Sequence, residues 1–204
     1  MSNEAEYTLK CVKYIGNVTA CIVDLINNNQ KIKRYCRYKT KTPLLPFGII
    51  SGKRIEQPDI YTNLDEPILN DEKNEVESAV LFDAMFDPDM QTKLEMGIFV
   101  YDYNSNFDKT FGDCAISIDI IVPYNYEKLQ SKGDKRTIML ADEIVNTICS
   151  NSITEENNKY WFDLLGNIEF SLKKITNGRL SQKNNSIRRT IIINTSIHKH
   201  PVLK

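Results

Sequence analysis

The sequence predicts an α+β fold, with two to three helices packed on one face of a mainly antiparallel sheet of about four strands. Three observations predict it. Apolar residues recur every third or fourth position from Glu4 to about Asn28 and again from Lys135 to Cys149. They alternate in "KLEMGIFVYDY" and "CAISIDIIVP", and in "NIEFSLKKI" and "RRTIIINTSI" nearer the end. The order is therefore helix, short helix, irregular arm, two strands, helix, two strands. At 204 residues the chain has the length of one sizeable domain, and 1–204 is read as a single α+β domain with an extended arm or insertion at about 46–88.

In the first helix Leu9, Val12, Ile15, Val18, Ile22, Leu25 and Ile26 form the stripe expected to face the core. Asn27 to Asn29 ends that helix and caps a shorter one, "QKIKRYCRYKT", with basic residues around Ile32, Tyr35 and Cys36. Pro43 and Pro46 forbid its continuation. From Pro46 to Pro88 the chain is irregular and polar, with one strand expected near its end in "SAVLFDAMF". Leu94, Met96, Ile98 and Val100 then share one strand face, and Ile116, Ile118, Ile120 and Val122 another. The intervening "NSNFDKTFGD" makes the two strands an antiparallel hairpin with a long loop.

Asp134 is placed to cap the next helix, whose buried stripe reads Ile138, Ala141, Ile144, Val145 and Ile148. A polar connector leads to the last two strands, with Ile168, Phe170 and Leu172 on one face of the first. Ile191, Ile193 and Ile197 line the second, which is expected at a sheet edge. The turn-rich "TNGRLSQKNN" joins them.

Twenty-six basic against twenty-seven acidic side chains leave a formal charge of -1, so no global field draws the chain to nucleic acid or to an anionic membrane. No apolar run approaches the roughly 20 residues needed to span a bilayer, and the N-terminal "MSNEAEYTLK" lacks the features of a signal peptide. Cys11, Cys21, Cys36, Cys114 and Cys149 form no CxxC and read as reduced thiols in a cytoplasmic setting.

Catalytic patterns are sparse. Pro58 and Asp59, followed by Asp71, Glu72 and Lys73, fit the loose PD and D-x-K string of metal-dependent nucleases. There two carboxylates hold Mg²⁺ and a lysine assists the attacking water. The segment around Asp71 lacks strand alternation, so a solvated loop is preferred. Asp83, Asp87 and Asp89 have the wrong spacing for an EF-hand and suit a turn. His198 and His200 could share a strand face, but two ligands do not make a metal site. Phosphate-binding glycine loops are absent. The stretch Lys31 to Lys41 offers basic charge with Tyr35 or Tyr38 to stack on a base, against the simpler reading of an amphipathic helix. Trp161 reads as core rather than as an interface anchor. No catalytic residue, cofactor or metal is therefore assigned. The alternatives kept open are a nuclease using Asp59, Asp71 and Lys73, and a nucleic-acid-binding module.

One layout carries a resemblance. An N-terminal helix and "NNNQKIKRYCRYKTKTPL" are followed by the strand "AISIDIIVP", an elbow with Leu129 and Gly133, then Arg136 and the helix "TIMLADEIVNTI". Together with the late strands this resembles the small neck proteins of tailed bacteriophages, the tail terminator, tail completion and head-to-tail joining group. It covers roughly the second half of the chain, and the first two helices extend it. The resemblance implies helices packed on an antiparallel sheet and a non-enzymatic virion structural protein, with the host cytoplasm as its location during assembly. It also implies a homo-oligomeric ring at the head-tail neck or tail terminus, with other head, neck or tail proteins as partners. The arm of about forty residues between Pro46 and Pro88 is longer than such proteins commonly carry.

Overall fold

The computed structural model describes residues 3–61, 69–70, 75–76, 80–82, 96–107, 111–130, 133–181 and 185–198. It has the expected α+β architecture. Helices α1 (Asn3–Asn27) and α2 (Gln30–Arg37) come first, then a small hairpin of β1 (Phe47–Ile50) and β2 (Lys53–Glu56). Two-residue pieces β3 (Leu69–Asn70) and β4 (Glu75–Val76) pair with each other. The main sheet collects β5 (Val80–Phe82), β6 (Gly97–Asp102), β7 (Asn106–Phe107), β8 (Phe111–Pro123), β9 (Ser171–Ile175), β10 (Arg179–Ser181) and β11 (Ser186–His198). Helices α3 (Tyr124–Glu127), α4 (Arg136–Cys149) and α5 (Lys159–Leu165) lie between β8 and β9.

The four strands expected from alternation are β6, β8, β9 and β11, and the short β5, β7 and β10 extend the sheet to seven. β6 and β8 form the antiparallel hairpin, with Ile98 opposite Ile120 and Val100 opposite Ile118. The strand expected in "SAVLFDAMF" is β5, which pairs parallel to β6. The last strand, however, is not an edge. β11 pairs with β8 along its whole length, from Ser186 opposite Pro123 to His198 opposite Phe111, while β9 and β10 occupy its other side. Its run Ile191–Ile193 is buried, as suits a strand flanked on both sides and covered by helices.

The core lies between helices and sheet. Val18, Ile22 and Ile26 of α1, Ile32 of α2 and Ile144 and Ile148 of α4 join Ile98, Val100, Ile116, Ile118, Ile191 and Ile193 in one buried cluster. The observed stripe of α1 is turned relative to the expected one: Cys11, Tyr14 and Cys21 are inside, while Val12 is exposed. Tyr14 takes an inward place because its hydroxyl donates to the Leu165 carbonyl, 3.2 Å away, so its ring can be buried without stranding a polar atom. Trp161 is core, as read, and its indole N–H donates to Asp24 Oδ2 at 2.9 Å. It sits on α5, a helix inside what reads as a connector; its signals are the Asn158 cap, which accepts from the Trp161 N–H, and Gly166 at its end, with φ of +76°. Ile168 and Phe170 are buried, but Leu172 is exposed, because β9 begins only at Ser171 and stands clear of the core on both faces.

The opposite face of β8 is buried as well, at Ala115, Ser117, Asp119 and Ile121, and carries a polar cluster. Asp119 is fully enclosed and accepts hydrogen bonds from Tyr101 Oη at 3.0 Å and from Arg188 Nη2 and Thr190 Oγ1 at 2.5 Å each. All four residues come from neighbouring strands in register, Thr190 directly opposite Asp119. Replacing Asp119 by Ala strands three donors, including a guanidinium that is partly solvated. A loss of about 2–3 kcal/mol in urea unfolding is expected; a change under about 0.5 kcal/mol would show that the cluster contributes little.

Burial also sets the thiol chemistry. It pushes Cys21, Cys36 and Cys114 up to about 12. The folded protein therefore keeps protons that the unfolded chain releases near pH 9, so stability falls as pH rises from about 9 toward 12, by about 1.4 kcal/mol per unit and per thiol. Denaturation midpoints measured from pH 7 to 11 check this. Cys149, only half-buried, is expected to react first with a thiol reagent, the other four only on unfolding; rapid native labelling of Cys36 would contradict that.

Candidate assembly interface

Beyond α2 the chain cannot remain helical, because Pro43 and Pro46 block it. It turns at Thr42–Leu45, where the Leu45 N–H reaches the Thr42 carbonyl at 3.2 Å, and enters β1. The sequence "FGIISGKRIE" then folds as a hairpin with Ile50 opposite Lys53. Ser51 and Gly52 form its two-residue turn with φ of +50° and +78°. Two left-handed residues in succession match the right-handed twist of the flanking strands, and glycine takes the second without strain. The first part of the expected irregular arm is thus regular structure; residues 62–88, apart from the short strand pieces, lie outside the described residues.

The base of the hairpin is tightly held. Gln57 is fully buried; its amide donates to the Thr42 and Leu45 carbonyls, 2.7 Å each, and accepts from the Thr40 hydroxyl. Its backbone N–H closes onto the Pro46 carbonyl at 2.8 Å. Gly48 lies against this amide so closely that a Cβ there would overlap Gln57 and Thr40.

Arg34 of α2 crosses the same base, donating to the Pro43 carbonyl at 3.1 Å and the Leu45 carbonyl at 2.5 Å, and pairing with Asp59 at 3.2 Å. On the outgoing strand side, Tyr38 donates to the Pro58 carbonyl at 2.6 Å, and Gln30 exchanges two hydrogen bonds with the backbone of Ile60. Both legs of the hairpin are therefore strapped to α2.

Helix α2 is in turn locked to α4. Asn29 caps α2 by accepting from the N–H groups of Lys31 and Ile32, and its amide donates to Glu143 and Thr147 of α4. Arg136, wholly enclosed at the start of α4, donates to the carbonyls of Tyr35, Tyr38, Thr40 and Tyr126, at 2.5, 3.0, 2.6 and 2.9 Å. These are the carbonyls that the end of α2 and the elbow leave without helical partners. Burial lowers its guanidinium to about 10, so it stays charged at neutral pH. Asp134 does not cap α4 as expected. The cap residue is Lys135, without a side-chain bond, and the buried Glu127 instead accepts from the Thr137 N–H at 3.1 Å and hydroxyl at 2.6 Å.

What this scaffold presents is apolar. Leu44, Leu45, Phe47, Ile49 and Ile50 are all exposed, Ile49 at 63% of its area. Arg54 lies over the Phe47 ring at 4.3 Å, so one ring face is covered by a cation and the aliphatic tip is bare. A rigid, strapped projection with adjacent bare aliphatic side chains is the form of a docking element rather than of a frayed loop.

The residues singled out for chemistry are not assembled by the described structure. Asp59 is engaged by Arg34 at the hairpin base. Asp71, Lys73, Asp83, Asp87, Asp89 and His200 lie outside the described residues, as does the side chain of His198. Among the described residues no three His, Cys, Asp or Glu side chains are grouped to hold a metal. The Lys31 to Lys41 stretch has lost its aromatic platform: Tyr35 is buried, and Tyr38 is tied to Pro58 beneath Arg34. Also among the described residues, no helix is long and apolar enough to cross a membrane. Gln57, Gly48 and Arg34 are the functional supports that sequence reasoning passes over; the signal for the hairpin was the Ser51–Gly52 pair between apolar runs, obscured by the prolines on either side.

No protein-family model, no curated protein and no solved structure matches the chain.

Proposed function

We propose that this chain is a non-enzymatic structural subunit of a tailed-bacteriophage virion, forming a ring at the head-tail neck or the tail terminus. The observation that carries this reading is the strapped hairpin with its bare Leu44, Leu45, Phe47, Ile49 and Ile50. A heterologous contact, in which a projection on one subunit meets a different surface on the next, closes into a ring when the rotation between copies divides the circle. A hairpin fixed at its base enters such a contact at little entropic cost. The α+β layout, with helices laid on an antiparallel sheet, is the one the resemblance to neck proteins implies. Strand addition along β9 is the weaker route, since its exposed Lys173 and Lys174 are the kind of residue that discourages edge pairing.

Mass photometry of the purified protein and mass spectrometry of purified particles test the proposal. A discrete ring, or a subunit recovered in virions beside head and tail components, is the expected result. A protein that stays monomeric at tens of micromolar and is missing from particles would sink it.

A further inference from the structure

A second surface is formed at the elbow and the start of α4. A cleft of about 790 Å³ opens between α3, the first turn of α4 and the loop joining β9 to β10. That volume falls in the range of built ligand sites, roughly 300–1,000 Å³. Its charged lining is unbalanced. Lys41, Lys128, Lys135 and Arg189 all border it, and among the described residues none of the four has a carboxylate within ion-pair distance. The two acidic residues do not offset them equally, because Glu127 is buried and committed to Thr137.

Arg189 donates through Nη1 to the Thr176 carbonyl at 2.8 Å, while its Nε is buried without an acceptor among the described residues. The walls are apolar: Ile138, expected in the core, is instead 43% exposed here, with Ile187 and Tyr124 beside it. Gly178 also lines the cleft, and a Cβ there would press within 2.9 Å of the Ile187 side chain.

We infer that this cleft binds an acidic peptide segment carrying aliphatic anchors, supplied by a partner protein. Surplus cations around an aliphatic floor match carboxylates alternating with Leu, Ile or Val, and they match bases poorly, since among the described lining residues Tyr124 alone is aromatic and offers a single platform. The chain itself holds a stretch of this chemistry: residues 62–78 carry Asp65, Glu66, Asp71, Glu72, Glu75 and Glu77 against Lys73, interspersed with Leu64, Ile68, Leu69 and Val76. This inference stands on the cleft alone and does not need the ring.

The test uses the full-length protein and a fluorescein-labelled synthetic peptide of sequence 62–78, followed by anisotropy at low and high salt. Saturable binding is expected, weakened at least tenfold by Lys128→Glu with Lys135→Glu, and weakened separately by Ile138→Asp. Both sites are at the surface, so a matched melting curve shows that the fold is kept. A peptide with every Asp and Glu changed to Asn and Gln is expected to bind at least tenfold more weakly. No binding up to 1 mM, equal binding of the neutral peptide, or tighter binding of an oligonucleotide of equal length would each overturn the inference. Peptide binding by a protein that remains monomeric would leave it standing while removing the ring.

Discussion

Replacing Arg136 by Ala is expected to cost about 3–5 kcal/mol, enough to leave much of the chain unfolded at 37 °C. The side chain is wholly enclosed and donates to four backbone carbonyls drawn from α2, its exit loop and α3. Truncation leaves these acceptors buried with no donor and opens a cavity of arginine size, two penalties that add. Because the guanidinium remains charged when folded, Arg136→Lys keeps the charge but supplies a point donor in place of a planar fork. An intermediate loss of about 2 kcal/mol is expected for it. Urea unfolding of both variants measures this. Hydrogen exchange adds a spatial check, since the amides of α2 and of the hairpin base, from Gln30 to Gln57, should lose protection before those of β8 and β11. If Arg136→Ala retained a wild-type midpoint, the buried guanidinium would not be the tie between α2 and α4.

The second large effect concerns assembly rather than folding. Ile49→Asp places a carboxylate at the most exposed aliphatic position of the hairpin. That side chain is 63% exposed, so a stability change within about 0.5 kcal/mol is expected. Subunit association, by contrast, should weaken by at least about 30-fold, the equivalent of losing one 2 kcal/mol contact at the centre of an interface. Val12→Asp is the matched control, an aliphatic residue of similar exposure on α1, and it should leave association unchanged. Gly48→Ala gives an independent handle: its new methyl collides with Gln57 and Thr40, so it disturbs the hairpin base without altering the apolar tip. Equal assembly of wild type and Ile49→Asp, judged by mass photometry across a dilution series, would remove the hairpin from the interface.

Much of the architecture is legible from residue order. The helices α1, α2 and α4 and the strands β6, β8 and β11 follow from periods of 3.6 and 2, and the Asn29 cap was visible as well. The errors share a cause. Val12 and Ile138 are apolar at helical spacing yet exposed, because Tyr14 supplies a hydroxyl that Leu165 can accept and because the first turn of α4 overlooks a cleft. Each depends on a partner far away in the chain. The edge position expected for β11 failed for the same reason, since alternation reports which faces are buried but says nothing of how many neighbours a strand has.

Sequence alone, then, determined the α+β class, the positions of α1, α2, α4, β6, β8 and β11 and the balance of charge, because these depend on local periodicity and composition. Only the tertiary structure decided that Arg136 is buried among carbonyls, that Asp119 is enclosed by three donors, and that β11 is central. It also decided that an unpromising stretch between two prolines stands as a rigid hairpin with its aliphatic side chains bare. Burying a charge or fixing a projection requires hydrogen-bond partners from elements distant in the chain, and those partners come together only once the helices have closed on the sheet.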